Sequence, residues 1–275
     1  MTERGMMTVV ERALGVGLGL LFVAPLVWAV LAALRGPSEP LPTGSHDLLM
    51  EPSPRSFAMA LGLLGAGRHA VNSTLVALGT GIGLALLSCW TGFAVSQLGR
   101  APRRVVIWLT LTALVTPPFL LWVPRLVLFP LLGLADSLAV LVLVAILAEL
   151  PTAVLVFYAA FRRVSGELFD AARIDGCGVA AAWWQVGVPL VQHVAAAVAV
   201  LGGLAGWSDG VSPILYLTSG EHLTLPVWLQ SLHQLPASRW SVLMAGCVVV
   251  TIPSVVALLV AQRWLTVGVD RAPAE

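Results

Sequence analysis

Two ionisable side chains interrupt apolar stretches, and their chemistry calls for an explanation. Glu149 lies inside the apolar run 138–161, and Arg125 directly follows the run 105–124. A charge in an apolar environment is costly, so such residues usually face a water-filled path or a partner. We hypothesise that one or both of them line a passage, the two as an ion pair if both do, and hydrogen-bond hydroxyl groups of a polar solute. The alternative is that Arg125 extends to an interface and Glu149 packs beside the kink at Pro151.

The other residues that could carry chemistry are dispersed along the chain. Cys89, Cys177 and Cys247 lack the spacing of metal ligands or of a disulfide framework. The sequence has no H-x-x-x-H pattern, no paired-carboxylate cluster and no G-x-x-x-x-G-K-[ST] loop for nucleotide. The net charge of +1 gives no reason to expect nucleic acid. We therefore expect no catalytic residue, no metal and no cofactor bound by this chain.

One segment, 162–189, combines small, acidic and turn-forming residues at regular spacing. The defining residues are Asp170, Ala171, Ala172, Arg173, Gly176 and Pro189. The residues before Gly176 favour a helix, and glycine tolerates the positive φ of a sharp turn. Pro189 suits the first turn of a following helix. The pattern predicts a helix–turn–helix elbow.

The elements that must position these residues are membrane helices. Hydrophobic residues make up 58% of the 275 residues and charged residues only 11%, against about 25% charged in a soluble domain. Lipid must therefore be part of the solvent, and a helix needs about 20 apolar residues to cross it. The six candidate spans are Ala13–Leu34, Ala70–Val95, Val105–Pro124, Leu138–Phe161, Val188–Ser208 and Ser241–Ala261. We expect the first to be a retained span and not a signal peptide.

The arginines predict the orientation of these spans, because basic residues collect on the cytoplasmic side. With the N-terminus inside, ten arginines fall on inner segments: Arg4, Arg12, Arg100, Arg103, Arg104, Arg162, Arg163, Arg173, Arg263 and Arg271. Four fall on outer segments: Arg35, Arg55, Arg68 and Arg239. Both termini and the elbow are therefore predicted to be cytoplasmic.

The elbow resembles a loop found in permease subunits of binding-protein-dependent ABC importers, which has the form E-A-A-x(3)-G-x(9)-I-x-L-P. The matching residues are Asp170-Ala171-Ala172, Gly176 and Val186-Gly187-Val188-Pro189. All spacings agree, with Asp for Glu and Val for Ile and Leu. The resemblance implies an all-α integral membrane fold of six transmembrane helices, forming one permease domain over residues 1–275 with its coupling loop at about 162–189.

The same resemblance implies partners. The loop would dock on an ATPase, with Asp170 pairing with a basic residue there, so that ATP-Mg is bound and hydrolysed by the partner. The expected assembly in the bacterial cytoplasmic membrane has two ATPase subunits, a second permease of different sequence and an extracytoplasmic solute-binding protein. Transport would proceed by alternating access. This chain would be the shorter of the two permeases and no enzyme.

Further stretches resemble the sugar-importing permeases and their glycerol-phosphate relatives. They are Asn72-Ser73, the prolines 117, 118 and 124 with the run 132–137, Glu149-Leu150-Pro151, Trp207-Ser208-Asp209 and Thr224–Val227. The candidate pathway residues are Arg125, Glu149, Trp207 and Asp209. The alternatives are an ion-coupled secondary transporter, which would work alone, and an integral-membrane enzyme. The two halves show no internal repeat to favour the former.

Two other patterns predict packing. Gly79 and Gly83 have the small-xxx-small spacing of a close helix contact, within this chain or between subunits. Four tryptophans near the predicted outer boundary are expected to form an aromatic belt, or to stack on a sugar ring: Trp122, Trp207, Trp228 and Trp240.

Overall fold

The computed structural model describes residues 3–39, 52–63 and 65–266, and within them it is helical with no strand. The helices are α1 Glu3–Ala33, α2 Arg55–Gly62, α3 Ala66–Gln97, α4 Arg100–Val115, α5 Trp122–Leu131, α6 Leu138–Arg162, α7 Gly166–Ile174, α8 Val179–Ala182, α9 Val188–Leu190, α10 Gln192–Ser208, α11 Ser212–Tyr216, α12 Leu225–Leu232 and α13 Trp240–Thr266. A helix pairs its backbone N–H and C=O groups internally, whereas lipid offers these groups no hydrogen-bonding partner. Arg271 and both chain ends lie outside the described residues.

Four described helical stretches are long and apolar enough to cross a membrane: Leu14–Ala33, Ala66–Gln97, Leu138–Arg162 and Trp240–Gln262. Two bent pairs pass the same test when each is taken as one span: Arg100–Val115 with Pro118–Leu131, and Val179–Leu190 with Gln192–Ser208. The structure therefore holds four to six spans, and the predicted count of six depends on these bent pairs.

The predicted third span, Val105–Pro124, is not one straight helix. Helix α4 ends at Val115, and the chain resumes at Pro118 after a bend of 94°. Thr116 and Pro117 have extended ψ angles of 117° and 131°. Proline disfavours the helical conformation of the residue before it and supplies no N–H, so the Pro117-Pro118 pair breaks the span.

The predicted fifth span, Val188–Ser208, is also divided, with a bend of 84° before α10. A π-helical turn occupies Trp183–Gly187. The ring of Pro189 crowds the carbonyl of the residue four positions earlier, Gln185, which lies in that wider turn. Helix α10 therefore begins at Gln192 rather than at Val188.

Among the described residues, those in 68–227 and 254–275 form one compact unit, and those in 1–67 and 228–253 form another. In the first unit, α3 lies very close to α6. A Cβ added to Gly79 would lie 3.0 Å from a methyl carbon of Val142, and one on Gly83 would lie 2.6 Å from Ile146 Cδ1. The predicted glycine contact is thus confirmed as an internal one between helices.

The second unit is held by indole and hydroxyl hydrogen bonds to backbone carbonyls. Trp228 donates to the carbonyl of Leu63 at 3.1 Å, and Trp240 donates to that of Glu39 at 2.9 Å. Their exposed fractions are 1% and 7%. The prediction that these two tryptophans form a lipid-facing belt is wrong, because each has an interior hydrogen-bond partner distant in sequence.

Gly81 provides a test of the close packing of α3. A methyl group at this position would overlap the backbone carbonyl of Ala199 on α10, and a backbone atom cannot move aside as a side chain can. We predict that Gly81→Ala lowers the free energy of unfolding by about 1–3 kcal/mol, measured as thermal unfolding in detergent. Gly17→Ala is the control, because nothing lies within 4 Å of that position. Equal stability of both variants would contradict the proposed packing.

Candidate coupling loop and transport cavity

The elbow has the geometry that its glycine permits. Gly176 follows α7 with φ 83°, in the left-handed region where a side chain is strained. The N–H of Cys177 donates to the carbonyl of Ala172 at 2.9 Å, and the N–H of Gly176 donates to that of Arg173 at 3.0 Å. Bonds of this kind satisfy the last carbonyls of a helix and turn the chain sharply. Helix α8 starts three residues later.

An aromatic cluster fixes the elbow to the long helices. Phe169 on α7 is 2% exposed, and its ring centroid lies 5.3 Å from that of Phe93 on α3. Phe93 in turn lies 5.4 Å from Phe161 near the end of α6. Trp183 meets Trp90 of α3 edge-on at 5.0 Å. The elbow is therefore packed against α3 and α6 and is not a loose loop.

The sequence interpretation missed Phe169, although a signal was present. Phe169 and Ala172 are three residues apart, which places them on one face of α7, and both are buried. They form the buried side of α7, and every other residue of this helix is exposed. Ala171, next to Ala172, is exposed. The paired alanines of the motif thus face opposite ways.

The outward face of the elbow carries charge and exposed apolar groups. The Arg173 guanidinium pairs with Asp170 at 2.9 Å and donates to Oε1 of Gln97, at the end of α3, at 3.0 Å. Ile174 is 86% exposed and Val179 is 65% exposed. Asp170, expected to pair with a partner protein, has an ion pair within this chain.

A cavity of about 240 Å³ brings together three of the four predicted pathway residues, Arg125, Glu149 and Asp209. In the described part of the chain, no ion pair joins Arg125 and Glu149. One Asp209 oxygen accepts the N–H groups of Val211 and Ser212 at 2.9 and 3.0 Å, which holds the turn into α11. The fourth residue, Trp207, is 9% exposed and lines no described cavity.

A second cavity of about 260 Å³ lies between α6 and α10. Glu149 lines this one as well, together with Thr152 and His193. Most of the other lining side chains are aliphatic, so Glu149 and His193 supply most of its polarity. The second cavity was not foreseen, because the residues of its α6 and α10 walls are at least 37 positions apart in sequence. Among the described residues no group of His, Cys, Asp and Glu could hold a metal ion.

Asp136 joins two loops at the end of the unit away from the elbow. It has φ 52° and accepts the N–H groups of Thr218 and Ser219, both at 3.0 Å, and the Ser219 hydroxyl at 3.0 Å. The N–H groups of Ser219 and Thr218 stabilise the carboxylate and lower the pKa of Asp136 from 3.8 to about 2. The sequence showed Asp136 only as part of a motif, without its partners.

Long apolar helices with charged residues in the cavities between them define a multi-pass membrane protein. The family of binding-protein-dependent transport system inner membrane components matches residues 79–271. The chain belongs to this family.

Similar proteins cover most of the chain. The arabinooligosaccharides transport system permease AraQ of Halalkalibacterium halodurans is 29% identical over 91% of this chain and 92% of its own length. The sn-glycerol-3-phosphate transport system permease UgpE of Yersinia pestis is 28% identical over 74% of this chain and 72% of its own. A crystal structure of a bacterial ABC transporter that imports the acidic polysaccharide alginate matches 96% of this chain and 98% of that chain, with TM-score 0.76 and 16% identity.

The Asp136 clasp predicts a pH-dependent stability. Because its folded pKa is about 2, the stability it provides is present above the ordinary pKa near 4 and is lost as pH falls towards 2. We expect Asp136→Asn to lower the thermal unfolding temperature at pH 7, with the difference from wild type shrinking below pH 4. Asp175→Asn, an exposed change at the end of α7, is the control. A difference that does not depend on pH would argue against an ionised clasp.

Proposed function

We propose that this chain is a permease subunit of an ATP-driven importer, and that it crosses the bacterial cytoplasmic membrane six times with both termini in the cytoplasm. The observation that carries the proposal is the elbow at 162–189. It keeps the spacing of the importer coupling loop and exposes Ile174 and Val179. Membership of the binding-protein-dependent family supports the same function.

The proposed coupling is mechanical. A partner ATPase, which binds and hydrolyses ATP-Mg, docks on the exposed face of the elbow and moves it. Phe169 transmits the movement, because its ring is packed against Phe93 on α3, which contacts Phe161 on α6. Packed aromatic rings resist compression, so a displaced elbow tilts both helices. The chain itself carries out no chemistry on the solute and binds no cofactor.

The remaining proposed partners are a second permease of different sequence and an extracytoplasmic solute-binding protein. The family description, a binding-protein-dependent system, supports the latter. In the proposed cycle, the loaded binding protein docks on the outer loops and ATP opens the pathway outward. Hydrolysis then returns the subunits to the inward-facing state. The ends of α3 and α6 beside the elbow are the parts of this chain that would move first.

The proposed solute is a sugar or a related polar molecule. Permeases for arabinooligosaccharides and for sn-glycerol-3-phosphate are similar over most of this chain. The cavity that joins Arg125, Glu149 and Asp209 offers both donors and acceptors for hydroxyl groups. Glu149 lies at the meeting of two cavities, which is a suitable place for a group that binds a passing solute.

A pull-down from the native membrane in mild detergent tests the coupling loop. We expect wild type to recover an ATPase and a second permease. Ile174→Ser, Asp170→Asn and Gly176→Ala should each reduce the recovered ATPase severalfold while leaving the second permease bound. The first removes an exposed apolar contact, the second a charge, and the third strains a backbone with φ 83°.

Val115→Ser is the matched control for Ile174→Ser. Val115 is 80% exposed. It is the last residue of α4, whose first residue, Arg100, lies near Gln97 and the elbow. It should leave ATPase recovery unchanged. Recovery of the wild-type chain alone, with no ATPase, would instead favour a transporter that works by itself.

Uptake measurements test the role of Glu149. We expect Glu149→Gln to lower the initial uptake rate about tenfold, because one charge-assisted hydrogen bond to the solute is lost. The probes are labelled arabino-oligosaccharide and labelled glycerol 3-phosphate, each in cells carrying the intact importer. Ser208→Ala is the control, since that hydroxyl is exposed and bonds its own helix at Leu204. Unchanged uptake of a transported probe in Glu149→Gln would remove this residue from the pathway.

A further inference from the structure

Three arginines of α4 line one small open cavity on the surface of this helix. Arg100, Arg103 and Arg104 line a space of about 280 Å³, together with Ile107 and Trp108. Their spacing of three and four residues places them on one face of the helix. We propose that this cavity binds the phosphate group of an anionic phospholipid.

The charges of this arginine cavity are uncompensated by the rest of the described chain. None of the three guanidinium groups has an ion pair or hydrogen bond to any described residue, and the first turn of α4 contains no acidic residue. Arg100 lies one turn from both Arg103 and Arg104, and like charges at that spacing repel one another. The three arginines also lie at the end of α4 where the helix dipole is itself positive. Arg100 and Arg104 are exposed and Arg103 is half-buried, so the cluster is open to an anion from outside the chain.

The chemistry of the three side chains selects the anion. Each guanidinium is planar and donates parallel N–H groups that match two oxygens of a phosphate. Three of them around one space exceed what a single carboxylate would neutralise. A phosphate with several acceptor oxygens can engage all of them at once.

The apolar surface beside the arginines distinguishes a lipid from a soluble phosphate. Trp108 is 64% exposed, Leu109 is 65% exposed and Val105 is 59% exposed. These side chains continue along α4 from the charged end, so the helix offers charge first and hydrocarbon next. A phospholipid has the same order, with its phosphate above its acyl chains, and tryptophan is typical of that boundary. A free phosphate would gain nothing from this surface.

The arginine cavity lies at the same end of the unit as the elbow. Gln97, three residues before Arg100, accepts the hydrogen bond from Arg173. In the proposed orientation this end faces the cytoplasmic leaflet, whose surface is negative. The evidence for the lipid site comes from α4 alone, so it does not depend on which solute is transported.

Fluorescence quenching by brominated lipids tests the site in the full-length chain. The protein is placed in phosphatidylcholine nanodiscs with increasing fractions of phosphatidylglycerol brominated on its acyl chains. Trp108 is one of ten tryptophans, so its signal is the difference between wild type and Trp108→Phe. We expect brominated phosphatidylglycerol to quench Trp108 at a lower mole fraction than brominated phosphatidylcholine does. Each lost arginine should raise the amount of anionic lipid needed for half-maximal quenching about fivefold. The double variant Arg103→Gln/Arg104→Gln should therefore need about 25-fold more.

The matched control is Arg162→Gln/Arg163→Gln, which removes the same charge from exposed residues at the end of α6, outside the cavity. In this control, brominated phosphatidylglycerol should quench Trp108 as it does in wild type. Arg104→Lys should retain most of the preference for phosphatidylglycerol over phosphatidylcholine. Equal quenching by the two lipids in wild type would overturn the proposal. An equal shift in both double variants would also overturn it, because a diffuse surface charge would then explain the binding. Displacement of the brominated lipid by millimolar inorganic phosphate would identify a soluble anion as the ligand.

Discussion

The close approach of α3 to α6 and α10 is the constraint on which the cavity-bearing unit depends. Lipid is as apolar as the side chains that face it, so helices in a membrane associate through close packing more than through hydrophobic burial. Gly79 and Gly83 let Val142 and Ile146 of α6 contact the α3 backbone, and Gly81 does the same for the carbonyl of Ala199 on α10. With both helices packed on α3, a space remains between them, and Glu149 and His193 face it from opposite walls. The cavity thus results from where glycine allows contact as much as from the polar residues that line it.

The elbow has two faces with different physical tasks. Its inner face is aromatic and buried, and Phe169 there is part of the same hydrophobic cluster as Phe93 and Phe161. Its outer face combines an ion pair with exposed aliphatic side chains, a composition suited to a protein partner and not to lipid. Because Gly176 fixes the turn between α7 and α8, the two faces keep a constant relation to each other. In the proposed mechanism, a force on the outer face would reach α3 and α6 through this cluster.

Hydropathy predicted where helices form because long apolar runs have no other structure open to them in lipid. It did not predict how they bend, since the broken third span depends on the local conformation at Thr116 and Pro117 and not on apolarity. The spacing of Gly79 and Gly83 predicted a contact, but the partner helix emerged only in three dimensions. Trp228 and Trp240 were misassigned because an apolar residue facing lipid and one facing protein look alike in sequence. Their acceptors, Leu63 and Glu39, are more than 160 residues away along the chain.

The candidate pathway residues illustrate the same limit and suggest how their chemistry is divided. Arg125, Glu149 and Asp209 were singled out one at a time because each is charged beside apolar sequence, yet fold topology alone places them around one cavity. They are not equivalent there. The Asp209 carboxylate already accepts hydrogen bonds from the N–H groups of Val211 and Ser212. Its charge therefore mainly stabilises a turn. Glu149 and Arg125 have no ion pair or hydrogen bond to a described residue, and a charge at membrane depth is stable only in contact with water or a polar ligand. In the proposed pathway, Glu149 and Arg125, more than Asp209, would be the side chains that meet a hydroxylated solute.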